Sequence, residues 1–186
     1  MNRRKSIGLI SVGSCLFAQN TFASGSGIFG PRLFNDGFMD SFRPRWEGLQ
    51  THTFEVLEAM PEAQFDFQPT TEVMSFSRLF SHIGRSLEIY AGMLDETSAD
   101  EESKPVSKAE VHTSLKGSFD RFERGLTQLN AKNLYTPTHE IATRDGSLNM
   151  SDYDIIMLAY NHTGHHKGQA TTYLRLAGAT PPQYRY

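Results

Sequence analysis

Four stretches of the chain carry apolar residues separated by three and four positions, and no other feature restricts the fold as strongly. On an α-helix, residues at this spacing lie along one face. The four faces comprise Phe42, Trp46, Leu49, Val56 and Met60; Phe76, Phe80, Ile83, Leu87, Tyr90 and Leu94; Val111, Leu115, Phe119, Phe122, Leu126 and Leu129; and Ile155, Ala159, His162, His166, Gln169, Tyr173 and Leu176. Apolar runs of period two, which a half-buried sheet needs, are lacking. The pattern predicts an all-α fold, a four-helix bundle with long loops.

Residues that begin or end helices stand at the borders of these stretches. Ser107 and Glu110 have the spacing of a capping box, in which each side chain accepts a backbone hydrogen bond from the other residue. The other border residues are Pro61 after the first stretch, Ser75 before the second, Ser151 with Asp154 before the fourth, and Gly178 after it. The connection 131–150 carries the turn pair Asp145-Gly146, so we expect a small extended piece there.

The first 23 residues have the pattern of a cleavable secretory signal peptide. A cationic start, MNRRK, precedes a mostly apolar stretch of twelve residues, Ile7 to Ala18. We predict cleavage after Ala23, with a cut after Ala18 as the alternative, and export to the periplasm. The sequence before Cys15 loosely resembles a lipobox, but the apolar run continues past it, so lipoprotein anchoring ranks second. An uncleaved N-terminus is a further alternative.

Residues 24–40 are rich in glycine and are predicted to be a flexible linker, which leaves 41–186 as the helical domain. The net charge is −3 at pH 7, and loss of the three cations in the signal peptide would make it −6. A nucleic-acid partner is not expected, because phosphate binding needs a dense basic surface. No apolar stretch reaches the roughly 18 residues that span a bilayer, so stable membrane insertion after processing is not expected either.

Two histidines stand four residues apart on the inward face predicted for the fourth helix. His162 and His166 are therefore neighbours one turn apart and can reach one metal ion. His165 is also within a turn of His162, but it is rotated about 100° from His166 toward the flank. The only cysteine, Cys15, lies in the predicted signal peptide, so ligands of a mature metal site would be nitrogen or oxygen atoms. Spacing alone leaves open whether this pair binds a metal or forms hydrogen bonds in the core.

The last helix also carries a more specific pattern. The segment 161–169, NHTGHHKGQ, is followed by YLRL at 173–176 and by Gly178 with Pro181-Pro182. This segment resembles the C-terminal signature of the DinB-like family, with Lys167 where the family more often has arginine. Trp46, Met60-Pro61 and Gln68-Pro69 before Ser75 match the first third of the family pattern. The resemblance covers about residues 41 to 184.

The resemblance implies a four-helix bundle in which three histidines hold a divalent metal ion. One ligand comes from the second helix and two, four apart, come from the last helix. His82 takes the first place and His162 and His166 the other two, although by itself His82 would be interpreted as a packing residue. The ion would be Zn, Ni, Fe or Mn. Gln169, one turn beyond His166, would orient a water or a ligand, or tie two helices together.

Three neutral imidazoles leave open positions on an ion, as in catalytic sites. We therefore expect a metal-dependent enzyme of the hydrolase type that acts through metal-activated water on a small-molecule substrate. The alternatives are a thiol-dependent S-transferase or isomerase, to which export is less suited, a non-catalytic metal- or ligand-binding protein, and a bundle that the metal only stabilises.

The catalytic acid and base stay unassigned, because no carboxylate has a diagnostic spacing. Glu47, Glu55 and Glu88 are interpreted as helix-surface residues. The remaining histidines, His52, His112 and His139, have no partner at ligand spacing and are predicted to be surface or structural residues. By analogy with related bundles, we expect a homodimer.

Overall fold

The computed structural model describes residues 31–97, 107–129, 133–143 and 146–185. The elements are helix α1 (Pro31–Ala59), a 3₁₀ turn (Glu62–Gln64), helix α2 (Phe76–Leu94), helix α3 (Lys108–Thr127), strands β1 (His139–Thr143) and β2 (Gly146–Met150), and helix α4 (Asp152–Leu176). The predicted signal peptide, 1–23, lies outside the described residues. No described helix has both the length and the apolar character needed to cross a membrane.

The four helices pack around one core, which confirms the predicted helical bundle. Helix α2 packs on α3 and α4, and α1 packs on α4 and more lightly on α3, so α1 and α2 lie at opposite corners. Helices α1, α2 and α3 each contribute to the largest fully buried side chains, which include Trp46, Phe76, Phe80, Phe119 and Phe122. The Trp46 ring lies 4.8 Å from that of Phe122, and its indole donates a hydrogen bond of 3.1 Å to the Glu123 carboxylate.

Helix α1 begins ten residues before the predicted domain boundary, within the segment assigned to a linker. Residues 31–40 are helical, and Pro44 lies inside the helix rather than in its first turn. Ring contacts account for this extension: Phe38 lies 5.5 Å from Phe42 and 5.2 Å from Tyr153 of α4. Aromatic packing against α4 outweighs the local preference of glycine and proline for loops.

The predicted border residues of α2, α3 and α4 are confirmed. Ser75 caps α2, and both Ser107–Glu110 and Ser151–Asp154 form complete capping boxes. Gly178 follows α4 with a φ of +78°, a conformation that glycine adopts without strain.

The extended piece expected within 131–150 is an antiparallel hairpin. Strand β1 pairs with β2 from His139 opposite Met150 to Thr143 opposite Gly146. The hairpin leads directly into α4.

The buried face of α4 differs from the predicted one. Leu176, predicted on the inward face, is 61% exposed, whereas Thr163, Lys167 and Ala170 are buried. At 100° per residue, the buried face is rotated by about 60° from the predicted face. The physical reason is that α4 packs on both α1 and α2, so its buried face is wide enough to contact two helices. This face includes the polar residues Thr163 and Lys167, which a hydrophobic pattern does not count.

Candidate metal centre

Helices α2 and α4 bring the three predicted histidines together. His82 comes from the middle of α2, and His162 and His166 come from consecutive turns of α4. The Nε2 atom of His162 lies 3.2 Å from Nε2 of His82 and 3.2 Å from Nε2 of His166. One ring nitrogen of each residue lies within 4.8 Å of the other two, a group that could hold a metal ion.

The spacing of these nitrogens suits a common ion. Zinc–imidazole bonds are about 2.0–2.1 Å long, so two imidazole nitrogens on a tetrahedral ion are about 3.3 Å apart. The two measured separations of 3.2 Å agree with this value. Three nitrogen donors also suit nickel, iron and other divalent ions, so the geometry leaves the identity of the metal open.

The environment keeps two of the three imidazoles, those of His162 and His166, neutral at pH 7, as metal ligands must be. Burial, and to a smaller extent the neighbouring rings of His166 and His82, lower the pKa of His162 to about 4. The pKa of His166 is also lowered, chiefly by burial, although its hydrogen bond to Gln169 opposes the shift. Neutral rings at pH 7 leave nitrogen lone pairs free for coordination.

Gln169 orients one of the candidate ligands. Its Oε1 accepts a hydrogen bond of 2.8 Å from Nδ1 of His166, so the proton of that ring is on Nδ1 and the Nε2 lone pair faces the cluster. On its other side, Nε2 of Gln169 lies 3.1 Å from Nε2 of His165. His165, which its rotation toward the helix flank argued against as a ligand, lies outside the cluster and is exposed. The spacing of four residues between His165 and Gln169 is the feature of the sequence from which this contact could have been predicted.

One tyrosine lies beside the cluster. The ring of Tyr90 meets the ring of His162 edge to face, with centroids 5.9 Å apart. Burial raises the pKa of Tyr90, so its phenol stays protonated. Tyr173, which the last helix places on the same side, packs instead against Phe67 at 6.4 Å.

The other histidines lie elsewhere. His139 pairs with the Asp152 carboxylate at 2.7 Å, next to the start of α4, and His112 packs its ring against Phe54 with centroids 4.8 Å apart. Both have structural contacts, as predicted. His52 of α1 is buried, with 3% of its surface exposed, and lies beside Gly164 and Lys167 of α4 rather than in the cluster.

The candidate carboxylates are engaged in ion pairs or lie apart from the histidines. Glu88 pairs with Arg121, and Glu55 pairs with Arg185. Glu47 is exposed and borders a groove beside Trp46. Within the described part of the chain, the group that could hold a metal ion consists of the three histidines and includes no carboxylate.

The fold and site define a class: a helical bundle that gathers three histidines from two of its helices. The model of the DinB family matches residues 39–186, and the chain therefore belongs to the DinB family. This result confirms the resemblance predicted over about residues 41 to 184.

Solved structures show the same fold. A DinB-like protein from Bacillus cereus ATCC 10987 is similar with a TM-score of 0.62 at 20% identity, over 80% of this chain and 95% of that one. A DinB-like protein from Bacillus subtilis gives 0.60 at 23% identity, over 76% and 95% of the two chains. A conserved protein from Enterococcus faecalis gives 0.59 at 15% identity, over 74% and 95%. No curated protein matches the sequence.

Proposed function

We propose that this DinB-family protein is a divalent-metal-dependent enzyme of the hydrolase type, with His82, His162 and His166 as the metal ligands. The observation that carries the proposal is the convergence of three Nε2 atoms, with two separations of 3.2 Å, from helices that are distant in sequence. Three protein ligands leave a coordination position for water or substrate, whereas structural sites fill all four positions.

The chain's own residues prepare the site in three ways. The histidine rings offer neutral donors at a fixed separation, and Gln169 holds the ring of His166 in the tautomer that binds through Nε2. Tyr90 covers one side of His162 and limits its contact with water. When bound, a divalent ion supplies Lewis-acid chemistry, since it polarises a carbonyl or phosphoryl oxygen and lowers the pKa of water toward about 7.

Hydrolysis is favoured over thiol transfer by the predicted export of the chain. Thiol transfer needs a small thiol cofactor from the surroundings, whereas hydrolysis needs only water. The substrate is proposed to be a small molecule, because the cluster lies between helices rather than on a broad surface.

The first test is the metal content of the purified protein, prepared without added metal or an affinity tag and measured by elemental mass spectrometry. We expect about one equivalent of a divalent transition metal per chain, which His162→Ala should lose. His165→Ala is the matched control, because His165 is on the same helix but outside the cluster, and it should keep the metal. Less than about a tenth of an equivalent after refilling would overturn the proposal.

A second test separates an enzyme from a protein that the metal only stabilises. In the variant His82→Ala, hydrolysis of a panel of ester, amide and phosphoester substrates should disappear. The melting temperature should change little, because His82 is only half-buried. A large drop in melting temperature that equals the effect of chelation in the wild-type protein would indicate a structural metal. Loss of ligand affinity without turnover in the wild-type protein would indicate a binding protein.

We also propose that residues 1–23 direct export and are removed after Ala23. The mass of the protein recovered from a periplasmic fraction tests this directly, since each cleavage site gives a different mass.

A homodimer stays a prediction, which light scattering coupled to size-exclusion chromatography would test.

A further inference from the structure

A second cavity lies on the side of α4 opposite the histidine cluster. It has a volume of about 450 Å³ and is bounded by α1, α4 and the C-terminal segment. At 100° per residue, the α4 residues that line it are centred about 180° from His162. The volume is within the range of roughly 300–1,000 Å³ typical of small-molecule sites. The cavity is therefore a separate site from the candidate metal centre.

The cavity is lined by cations and by no acidic residue among those described. Arg45 of α1, Lys167 and Arg175 of α4, and Arg185 of the C-terminal segment border it. Arg185 is neutralised, because its guanidinium pairs with the carboxylate of Glu55. Within the described part of the chain, the other three have no ion pair with a carboxylate, so the cavity has an uncompensated positive charge.

Lys167 gives this charge a specific location. Lys167 is only 7% exposed, and its ammonium group lies 5.3 Å from the centroid of the Tyr184 ring. A buried cation without an anionic partner costs free energy, and a cation–π contact offsets part of that cost. The charge of Lys167 also contributes to the lowered pKa of buried His52, although burial is the larger cause. An anion in the cavity would offset the free-energy cost of burying the charge of Lys167 without an anionic partner.

The arginines provide the geometry that an oxyanion needs. Arg45 donates to the carbonyl of Ser41 and Arg175 to that of Thr171, each through one nitrogen only. A guanidinium has five N–H groups, so each arginine keeps donors for a ligand. Planar pairs of such donors match carboxylate and phosphate oxygens.

The rest of the wall is suited to the body of an organic molecule. Leu49, Tyr160, Pro182 and Tyr184 line the cavity with apolar and aromatic surface. Two glycines of α4, Gly164 and Gly168, lie against it, and a Cβ atom at either one would meet nothing within 4 Å. This space above the helix backbone is available to a ligand.

We propose that this cavity binds a small organic anion, whose carboxylate or phosphate group pairs with Lys167, Arg45 and Arg175 and whose aromatic or aliphatic body lies against the tyrosines. The site is independent of the metal proposal, since it uses none of the three histidines. Its ligand is defined by an anionic head group on a nonpolar body.

Isothermal titration calorimetry with the full chain tests the proposal, with phenyl phosphate, benzoate and inorganic phosphate as anionic probes and benzyl alcohol as the neutral probe. Saturable binding of phenyl phosphate or benzoate, stronger than that of benzyl alcohol, is expected, and the stronger of the two identifies the head group. Lys167→Met should weaken it by about tenfold or more, the effect of losing a charge-assisted hydrogen bond. Arg43→Gln is the matched control, because Arg43 is exposed on the same helix as Arg45 but does not line the cavity.

A second variant keeps the test decisive if Lys167→Met does not fold. Gly164→Leu fills the cavity from the helix backbone without a Cβ clash and should abolish binding, whereas Gly117→Leu on α3, also without neighbours within 4 Å, should leave it unchanged. Metal content measured on the same samples distinguishes loss of this site from loss of the metal centre. Absence of saturable binding to any probe, equal binding of benzyl alcohol, or binding that both cavity variants retain would overturn the proposal.

Discussion

At the residue scale, the candidate metal centre depends on how Gln169 and its neighbours place individual ring nitrogens. Three imidazoles packed with their Nε2 atoms in contact would repel one another if all were protonated, and burial lowers the pKa of His162 and His166. Gln169 then selects the tautomer of one ring through a single hydrogen bond. Small polar contacts of this kind decide whether a group of histidines can bind an ion.

The role of Gln169 yields a specific prediction. Gln169→Leu removes the acceptor for Nδ1 of His166 while keeping a side chain of similar size. Metal affinity, measured by competition with a chromogenic chelator, should fall by about 10- to 100-fold. Gln169→Glu retains the acceptor and should restore most of the affinity. An unchanged affinity in Gln169→Leu would show that Gln169 does not orient His166 and only forms a hydrogen bond with His165 within α4.

At the element scale, local signals at helix ends account for the borders of α2, α3 and α4. The hydroxyl of Ser107 accepts a hydrogen bond of 3.2 Å from the Glu110 amide, and the Glu110 carboxylate accepts one of 3.0 Å from the Ser107 amide. Helix α3 also stabilises the end of α1, since Lys108 donates hydrogen bonds to the carbonyls of Glu58 and Met60. The start of α3 therefore affects two helices.

Loss of this cap should be measurable. Ser107→Ala is expected to lower the free energy of unfolding by about 1 kcal/mol, which shifts the melting temperature of a domain of this size by roughly 2–4 °C. Ser107→Asp keeps an oxygen acceptor at the N-cap and should lower the melting temperature much less. Thermal unfolding followed by circular dichroism compares the two. Equal losses in both variants would contradict the capping explanation.

Glycine-rich segments are where local signals were insufficient. Residues 31–40 of α1 were expected to be a linker, yet Phe38 is held on Tyr153 by a helix that includes Pro44. The stabilisation comes from an element more than a hundred residues away in sequence. Local composition could not have predicted it.

At the scale of the whole molecule, buried histidines link global stability to pH. The pKa values of His52, His162 and His166 are lowered in the folded chain, that of His162 to about 4, whereas an unfolded histidine titrates near 6.5. Between these values the unfolded state binds more protons than the folded state, so stability rises with pH in that window. Above pH 6.5 the histidine contribution is constant.

The metal-free protein should therefore lose stability as the pH falls from about 6.5 to 4.5. Urea unfolding midpoints at several pH values, measured in the presence of a chelator, test this. His162→Gln should flatten the slope, whereas His165→Gln, at an exposed position, should leave it as in the wild-type protein. A midpoint that is constant over this window would show that these histidines bind protons equally in the folded and unfolded chains, and it would contradict their lowered pKa values.

The sequence by itself determined the helical class, the borders of three helices and the pair His162 and His166, because periodicity, caps and the motif of the last helix are local signals. His82 was predicted only through the family resemblance, and its place beside that pair was decided by the tertiary structure. The tertiary structure alone decided which side of α4 is buried, where α1 begins and that Lys167 is a buried cation in a second cavity. Each of these depends on which helices become neighbours. Contacts between α1 and α4 join positions more than a hundred residues apart, and the energy of such packing is not encoded in any one segment.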